Sequence, residues 1–436
     1  MPDHVQSLLD YIDASPTPFH AVAESVRRLR AAGFSELSET DAWTLKPGGR
    51  YFTTRGGSSI VAFTCGQKAP EQSGFLGIGA HTDSPNLRIK PSPEVRRHGY
   101  RQLGVEVYGA VLLSTWLDRD LTIAGRVSVE KNGQVEAELI DFVRPLVRIP
   151  NLAIHLNRTV NSEGLLLNAQ QHLAPILGLE MGGGQESLLE LLTAELKRTG
   201  RQVEANQILC WDLCLYDSQR ATLAGLESEF IQSGRLDNLA GCFAALTALE
   251  TARGDHDATR VIVLYDHEEV GSRSAQGAYS SLLRFALQRI TEAFQQGQRQ
   301  STLEAFARAM ARSFLISADM AHAIHPNYPE RHESHHQPVL GRGPVLKMNV
   351  NQSYATDGMT AARLEQWCRK AEVKLQPYVA RSDMACGSTV GPITAAELGL
   401  ATVDLGNPLL SMHSVREMCA CSDVNALARL LDTYFA

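Results

Sequence analysis

Two adjacent glutamates, Glu268 and Glu269, follow a short apolar run, Val261-Ile262-Val263-Leu264-Tyr265, with Asp266 and His267 between. The run is rich in β-branched residues and reads as a buried strand. Carboxylates just past the end of such a strand are costly to hold without a partner. One glutamate can ligate a metal while its neighbour, pointing elsewhere, acts as a base on metal-bound water. On its own the pair fits a polar loop with two solvated acids equally well. Other parts of the chain repeat the arrangement. The apolar run at 74–80 ends in His81-Thr82-Asp83-Ser84-Pro85. His81 suits a metal-ligating imidazole, and Asp83 a nearby carboxylate able to orient a ligand or the site's base. Asp237 stands where a helix begins, so it reads as an N-cap that can also reach a metal. A strand at 313–317 runs into Asp319, with His322 three residues on. His413 precedes the final helix.

His81, Asp237, Glu269, Asp319 and His413 thus stand at strand ends or in the loops after them. Mixed nitrogen and oxygen donors suit Zn²⁺, with Co²⁺ or Mn²⁺ as alternatives. Five ligands are too many for one tetrahedral site with an open position. They fit two divalent ions about 3.5–4 Å apart that share a carboxylate. Three further features have both a plain and a functional reading. His155 lies in an apolar setting, which suits a core or interface histidine as well as a site residue. Lys347 sits in an otherwise apolar strand at 344–349, so it either snorkels to solvent or meets an anion. His332, His335 and His336 lie close together but lack matched carboxylates for a second metal cluster.

These residues must be positioned by a chain of 436 residues, which is long enough for two domains. Its 44% hydrophobic and 20% charged residues are ordinary for a globular protein. A net charge of −7 argues against a nucleic-acid surface and an anionic membrane. The first residues lack the pattern of a signal peptide, and no apolar run reaches transmembrane length. Eight scattered cysteines read as thiols in a reducing cytoplasm. Helices at 3–14 and 18–32 and strands to residue 80 have α/β texture. From about residue 88 the alternation at 105–109, 121–130 and 134–142 reads as antiparallel strands, with a hairpin turn at Asn132-Gly133. Gly182-Gly183-Gly184 reads as a loop before a helix at 186–198. The α/β texture resumes at Ser233. The expected division is an α/β domain of residues 1–87 and 232–436, interrupted by a β-rich insertion of residues 88–231.

Five segments in order resemble the aspartyl aminopeptidase family: His81-Thr82-Asp83-Ser84-Pro85, Ser233-Gly234-Arg235-Leu236-Asp237-Asn238, Asp266-His267-Glu268-Glu269-Val270-Gly271, Ser317-Ala318-Asp319-Met320-Ala321-His322-Ala323 and Met412-His413-Ser414-Val415-Arg416-Glu417. The resemblance implies an α/β, mixed-sheet di-metal peptidase core flanked by helices, with the insertion serving dimerisation and assembly. It implies that Asp237 bridges the metals, with His81 and Asp319 on one and Glu269 and His413 on the other. Glu268 becomes the general base for a metal-bridging water, and Asp83 joins it in the catalytic set. The histidine matching His155 reaches a neighbouring subunit's active site in the family's twelve-chain assembly, though some schemes count it as a zinc ligand. The family preference for N-terminal Asp or Glu needs a cation in the pocket, for which Lys347 is the candidate and Arg381 the next. His322 is expected beside the substrate. Two rival readings are a di-zinc N-acyl amino acid deacylase or carboxypeptidase, and a non-catalytic assembly protein on the same fold.

Overall fold

The structure is a computed structural model that describes residues 4–180, 187–252, 255–295 and 301–436. The expected loop at Gly182-Gly183-Gly184 lies outside the described residues. Among those described, nine strands form a mixed sheet. Its centre is four parallel strands in the order Thr259–Tyr265, Phe75–His81, Phe314–Ala318 and Ala401–Gly406. Each is a short, nearly continuous apolar run, as a strand covered on both faces must be. All seven residues of Thr259–Tyr265 are buried.

Alternation along these strands feeds two cores. Ile262 and Leu264 point to one face, where they meet the helices Val5–Asp13, Leu236–Thr251 and Cys421–Phe435. Val261, Val263 and Tyr265 point to the other, against Leu282–Phe294 and Thr302–Arg312. Leu236–Thr251 is buried at every position from Leu236 to Leu249, so it is a central helix rather than an amphipathic surface one. Because the four central strands are parallel, their carboxyl ends open on the same side. Ligands bind on that side in open α/β sheets.

A six-stranded antiparallel sheet draws on residues 86–217, in the order Gln134–Asp141, Leu121–Lys131, Ile208–Asp217, Asn86–Arg97, Tyr100–Tyr108 and Ile176–Leu179. It has its own apolar core, in which Val127, Val129, Leu192 and Leu196 are fully buried. Asn132 and Gly133 both have positive φ, 52° and 74°, as a two-residue hairpin turn requires. The expected strand at 105–109 is longer and starts earlier, at Tyr100. Its first residues, Tyr100-Arg101-Gln102, carry no simple alternation. A small third sheet pairs Thr222–Ala224 and Phe230–Ser233 with Glu417–Ala420, so the chain leaving the second sheet is tied at once to the last strand. That last strand, not a helix, directly follows the His413 loop. No helix among the described residues is long and apolar enough to cross a membrane.

Candidate metal centre

His81 is the last residue of Phe75–His81 and is almost completely buried. Its Nδ1 is 3.0 Å from the Asp83 carbonyl oxygen, which can only accept, so that nitrogen carries the proton. This leaves Nε2 free, 3.5 Å from Asp237 Oδ1 and 3.6 Å from Asp319 Oδ1. Asp319 follows the parallel neighbour Phe314–Ala318, and its backbone N–H donates to the Leu405 carbonyl.

The second half of the site rests on a sharp reversal after Thr259–Tyr265. His267 has φ 63°, and Glu268–Val270 form one 3₁₀ turn closed by Gly271. The backbone N–H groups of Glu268 and Glu269 each donate 3.1 Å bonds to the carboxylate of Asp83. His413 Nε2 lies 3.4 Å from Glu269 Oε2 and 3.5 Å from Asp237 Oδ2. Its Nδ1 is 3.0 Å from the Ala110 carbonyl. Asp237 therefore turns one oxygen to each histidine.

Asp237 departs from the N-cap expectation. The helix is preceded by Arg235, and no side chain caps it. Asp237 and Asn238 lack helical dihedrals, so the Asp237 carboxylate swings towards the histidines instead of back to its own helix. The Asp237 N–H donates to Glu417 Oε2, its carbonyl accepts from Ser84 Oγ, and Asn238 Nδ2 donates to the Ala318 carbonyl.

The donor set fits divalent ions. Three groups gather ligand atoms closely enough: His81 with Asp237 and Asp319, Asp237 with Glu269 and His413, and His81 with Glu268 and Glu269. Asp237 Oδ1 and Glu269 Oε1 are buried without a hydrogen-bond partner. The histidine–carboxylate separations are too long for good hydrogen bonds. Two donors at zinc bonding distances of about 2.1 Å in a tetrahedron stand roughly 3.4 Å apart, close to those separations.

The electrostatics of the protein groups alone show how much positive charge the site lacks. Burial pushes the Glu268 carboxyl up to about 8, Asp319, Asp83 and Asp237 add to this, and His81 opposes it. Burial and the Asp237 charge raise Glu269 well above the usual range. At His81 burial disfavours the imidazolium, yet the carboxylates of Asp237, Asp319 and Asp83 close by outweigh it and the pKa rises. Divalent cations would relieve the repulsion among these carboxylates.

These candidate ligand residues and Glu268 line a cavity of about 670 Å³, which Lys347, His322, Arg273 and Tyr354 also line. Lys347 is buried, with Nζ 3.0 Å from the Met320 carbonyl and 3.4 Å from Asp319 Oδ2. The snorkelling alternative is thereby excluded: the anion it meets is part of the protein. His322 lines the cavity with its side chain exposed, and partial desolvation by the surrounding protein, with Lys347 nearby, lowers its pKa.

Three of the expected residues do not line this cavity. Asp83 is fully buried and is not among the cavity-lining residues; its carboxylate holds the backbone of Glu268 and Glu269 instead. His155 is exposed on the 3₁₀ turn Ile154–Leu156 and does not line the cavity of its own chain. Arg381 is held by Asp383 and the Glu330 carbonyl, away from the cavity. The histidines at 332, 335 and 336 form no metal-binding group among the described residues, and His336 pairs with Glu333. Sequence reasoning missed Tyr108, whose hydroxyl donates 2.6 Å to Asp83 Oδ2, and the role of Glu417, which accepts from the backbone of both Asp237 and His413. Glu417 lies inside a quoted motif, four residues after His413, and that spacing was the available signal.

The family description "Aminopeptidase I zinc metalloprotease (M18)" matches residues 11–435. A probable M18 family aminopeptidase 2 of Pseudomonas putida (strain GB-1) is 49% identical over 428 residues, covering 98% of this chain and 97% of the relative. Among solved structures, the Ape4 and Nbr1 complex contains a chain 42% identical, with a TM-score of 0.95, covering 99% of this chain and 85% of that one. The mApe1 dodecamer of S. cerevisiae is 31% identical, with a TM-score of 0.85, covering 99% and 96%.

Proposed function

This chain belongs to the M18 family of zinc metalloprotease aminopeptidases, and from that premise we propose that it removes N-terminal aspartate or glutamate from peptides at a two-metal centre. The observation that carries the two-metal reading is Asp237, whose two carboxylate oxygens face His81 and His413 separately. In this reading Asp237 bridges, His81 and Asp319 complete one site, and Glu269 and His413 complete the other. Zinc is the resident metal, with cobalt or manganese as substitutes. Two zinc ions held there would supply an acidified water and a polarised scissile carbonyl.

The chain's own residues do the rest. Glu268 lines the cavity beside both sites without being needed as a ligand, so its carboxylate is free to take the proton of the attacking water. It then returns that proton to the departing amine. Asp83 holds the Glu268–Glu269 turn through two backbone bonds, which keeps the base in place. His322 walls the substrate side of the cavity. His155, exposed on its own subunit, is available to a neighbour's cavity in an assembly. We assign assembly to residues 88–231 and expect a homo-oligomer of twelve chains, like the mApe1 dodecamer of S. cerevisiae.

The direct test is a panel of aminoacyl chromogenic substrates with metal-stripped protein and each divalent ion added back. Zinc, cobalt or manganese should restore cleavage, with Asp and Glu substrates ahead of Leu and Ala. Restored activity that favours neutral residues would reject the acidic preference. Cleavage only of N-acyl amino acids would reject the aminopeptidase mechanism described above.

Lys347 is the proposed partner of the acidic side chain. An ammonium has three donors, and two are turned to Met320 and Asp319, leaving one for the cavity. Lys347→Met should lower kcat/KM for Asp and Glu substrates about 30-fold more than for Leu and Ala. That corresponds to roughly 2 kcal/mol, the low end for a desolvated charge pair, because the cavity opens to water. Zinc content must be measured in parallel, since Asp319 also loses a partner. An equal fall for all substrates at full zinc content would place the acidic pocket elsewhere. Arg273, which also lines the cavity, would be the next candidate.

A further inference from the structure

Asp83 is the buried hub of the site, and one of its partners comes from the other sheet. Its carboxylate accepts from the backbone N–H groups of Glu268 and Glu269, and Oδ1 lies 3.4 Å from His81 Nδ1. The remaining donor is the Tyr108 hydroxyl, 2.6 Å from Oδ2. Tyr108 is the last residue of Tyr100–Tyr108, in the six-stranded sheet. Its ring is fixed by the Arg88 guanidinium, 3.8 Å above its centroid. Burial, with Asp83 and Asp266 close by, keeps the phenol protonated and therefore a donor.

The next residues press against the same turn. Gly109 has φ 74°, and a Cβ placed on it would come within 3.2 Å of Glu269 Cβ. Ala110 then supplies the carbonyl that meets His413 Nδ1. One short segment of the second sheet thus reaches the support of both imidazoles.

We infer that Tyr108 is a positioning residue of the metal centre, acting through Asp83 on His81 and on the turn that carries Glu268 and Glu269. The inference rests on the two-metal reading above. A carboxylate with two oxygens and several donors can rotate once one donor is removed. The turn that aims Glu268 and Glu269 would then lose its anchor, and the 3.4 Å contact to His81, whose Nδ1 is also held by the Asp83 carbonyl, would loosen. The second sheet in this way contributes to metal affinity as well as to assembly.

Tyr108→Phe removes one hydroxyl and keeps the ring under Arg88. Chelator competition should show zinc bound roughly 10–100-fold more weakly, the usual effect of losing a group that supports a ligand. With zinc saturating, kcat should fall while KM changes little, and sedimentation should show the wild-type particle. A hydroxyl that only satisfied its own burial would lower the melting temperature of the zinc-free protein and leave zinc affinity untouched. That result would overturn the inference. Wild-type protein that binds zinc but cleaves no aminoacyl substrate would sink the proposed function, and the effect of Tyr108→Phe on zinc affinity would still decide this inference.

Discussion

Glu268→Gln should keep its zinc and lose turnover by about 10²–10⁴, the usual worth of a positioned base. The amide has nearly the same shape, and the backbone bonds from residues 268 and 269 to Asp83 do not involve the changed group. The turn should therefore stay in place while the proton acceptor disappears. The pH profile gives a second readout. Burial first, then the charges of Asp319, Asp83 and Asp237, raise the Glu268 carboxyl to about 8 in the absence of cations. A base works only when deprotonated, so activity should rise with pH through its pKa. Bound divalent ions offset those negative charges and should shift this rise to lower pH. The rise should vanish in the glutamine variant. Near-normal turnover at full zinc content would mean that another group takes the proton.

Asp237→Ala should be more damaging still, because it removes a donor from both halves of the site. One oxygen faces His81 at 3.5 Å and the other faces His413 at 3.5 Å. Each half would be left with one histidine and one carboxylate, too few to hold zinc tightly. Elemental analysis should find at most one zinc per chain, with activity at background. The backbone anchors of residue 237, to Glu417 and Ser84, do not need the carboxylate, so the fold should survive. A variant that still carries two zinc ions per chain would rule out the bridging role.

The candidate ligand set was legible because its physics is local. An apolar run that ends in His81, in Asp319 or just before Glu268 and Glu269 announces a strand whose far end is polar. Three such strands lie side by side and parallel, so their ends converge. Asp237 was legible as a candidate but for the wrong geometric reason, since its position at a helix start suggested a cap that it does not make. Lys347 was recognised as a cation in need of an anion, but only tertiary packing could show Asp319 taking that role. Tyr108 and the Ala110 carbonyl could not be found by pattern. A tyrosine ending a half-buried strand looks the same whether its hydroxyl meets water or a carboxylate. A backbone carbonyl leaves no mark on the sequence at all. His155 is different again: its exposure is visible only in three dimensions, and the partner it would serve lies outside one chain.

The order of the ligands along the chain has a kinetic consequence. His81 and Asp237 meet in space, yet the whole six-stranded sheet is made between them. His413 comes later still and reaches back to Ala110. Contacts this distant in sequence form late, because the entropy of closing the loops must be met before the contacts repay it. During synthesis, segments nearer the N-terminus fold first. Partly made chains can therefore build the first strands and the second sheet, but not the complete candidate site. In the two-metal reading the peptidase becomes competent only after His413 has been added and docked, so a nascent chain should carry no hydrolytic activity while it is still being made.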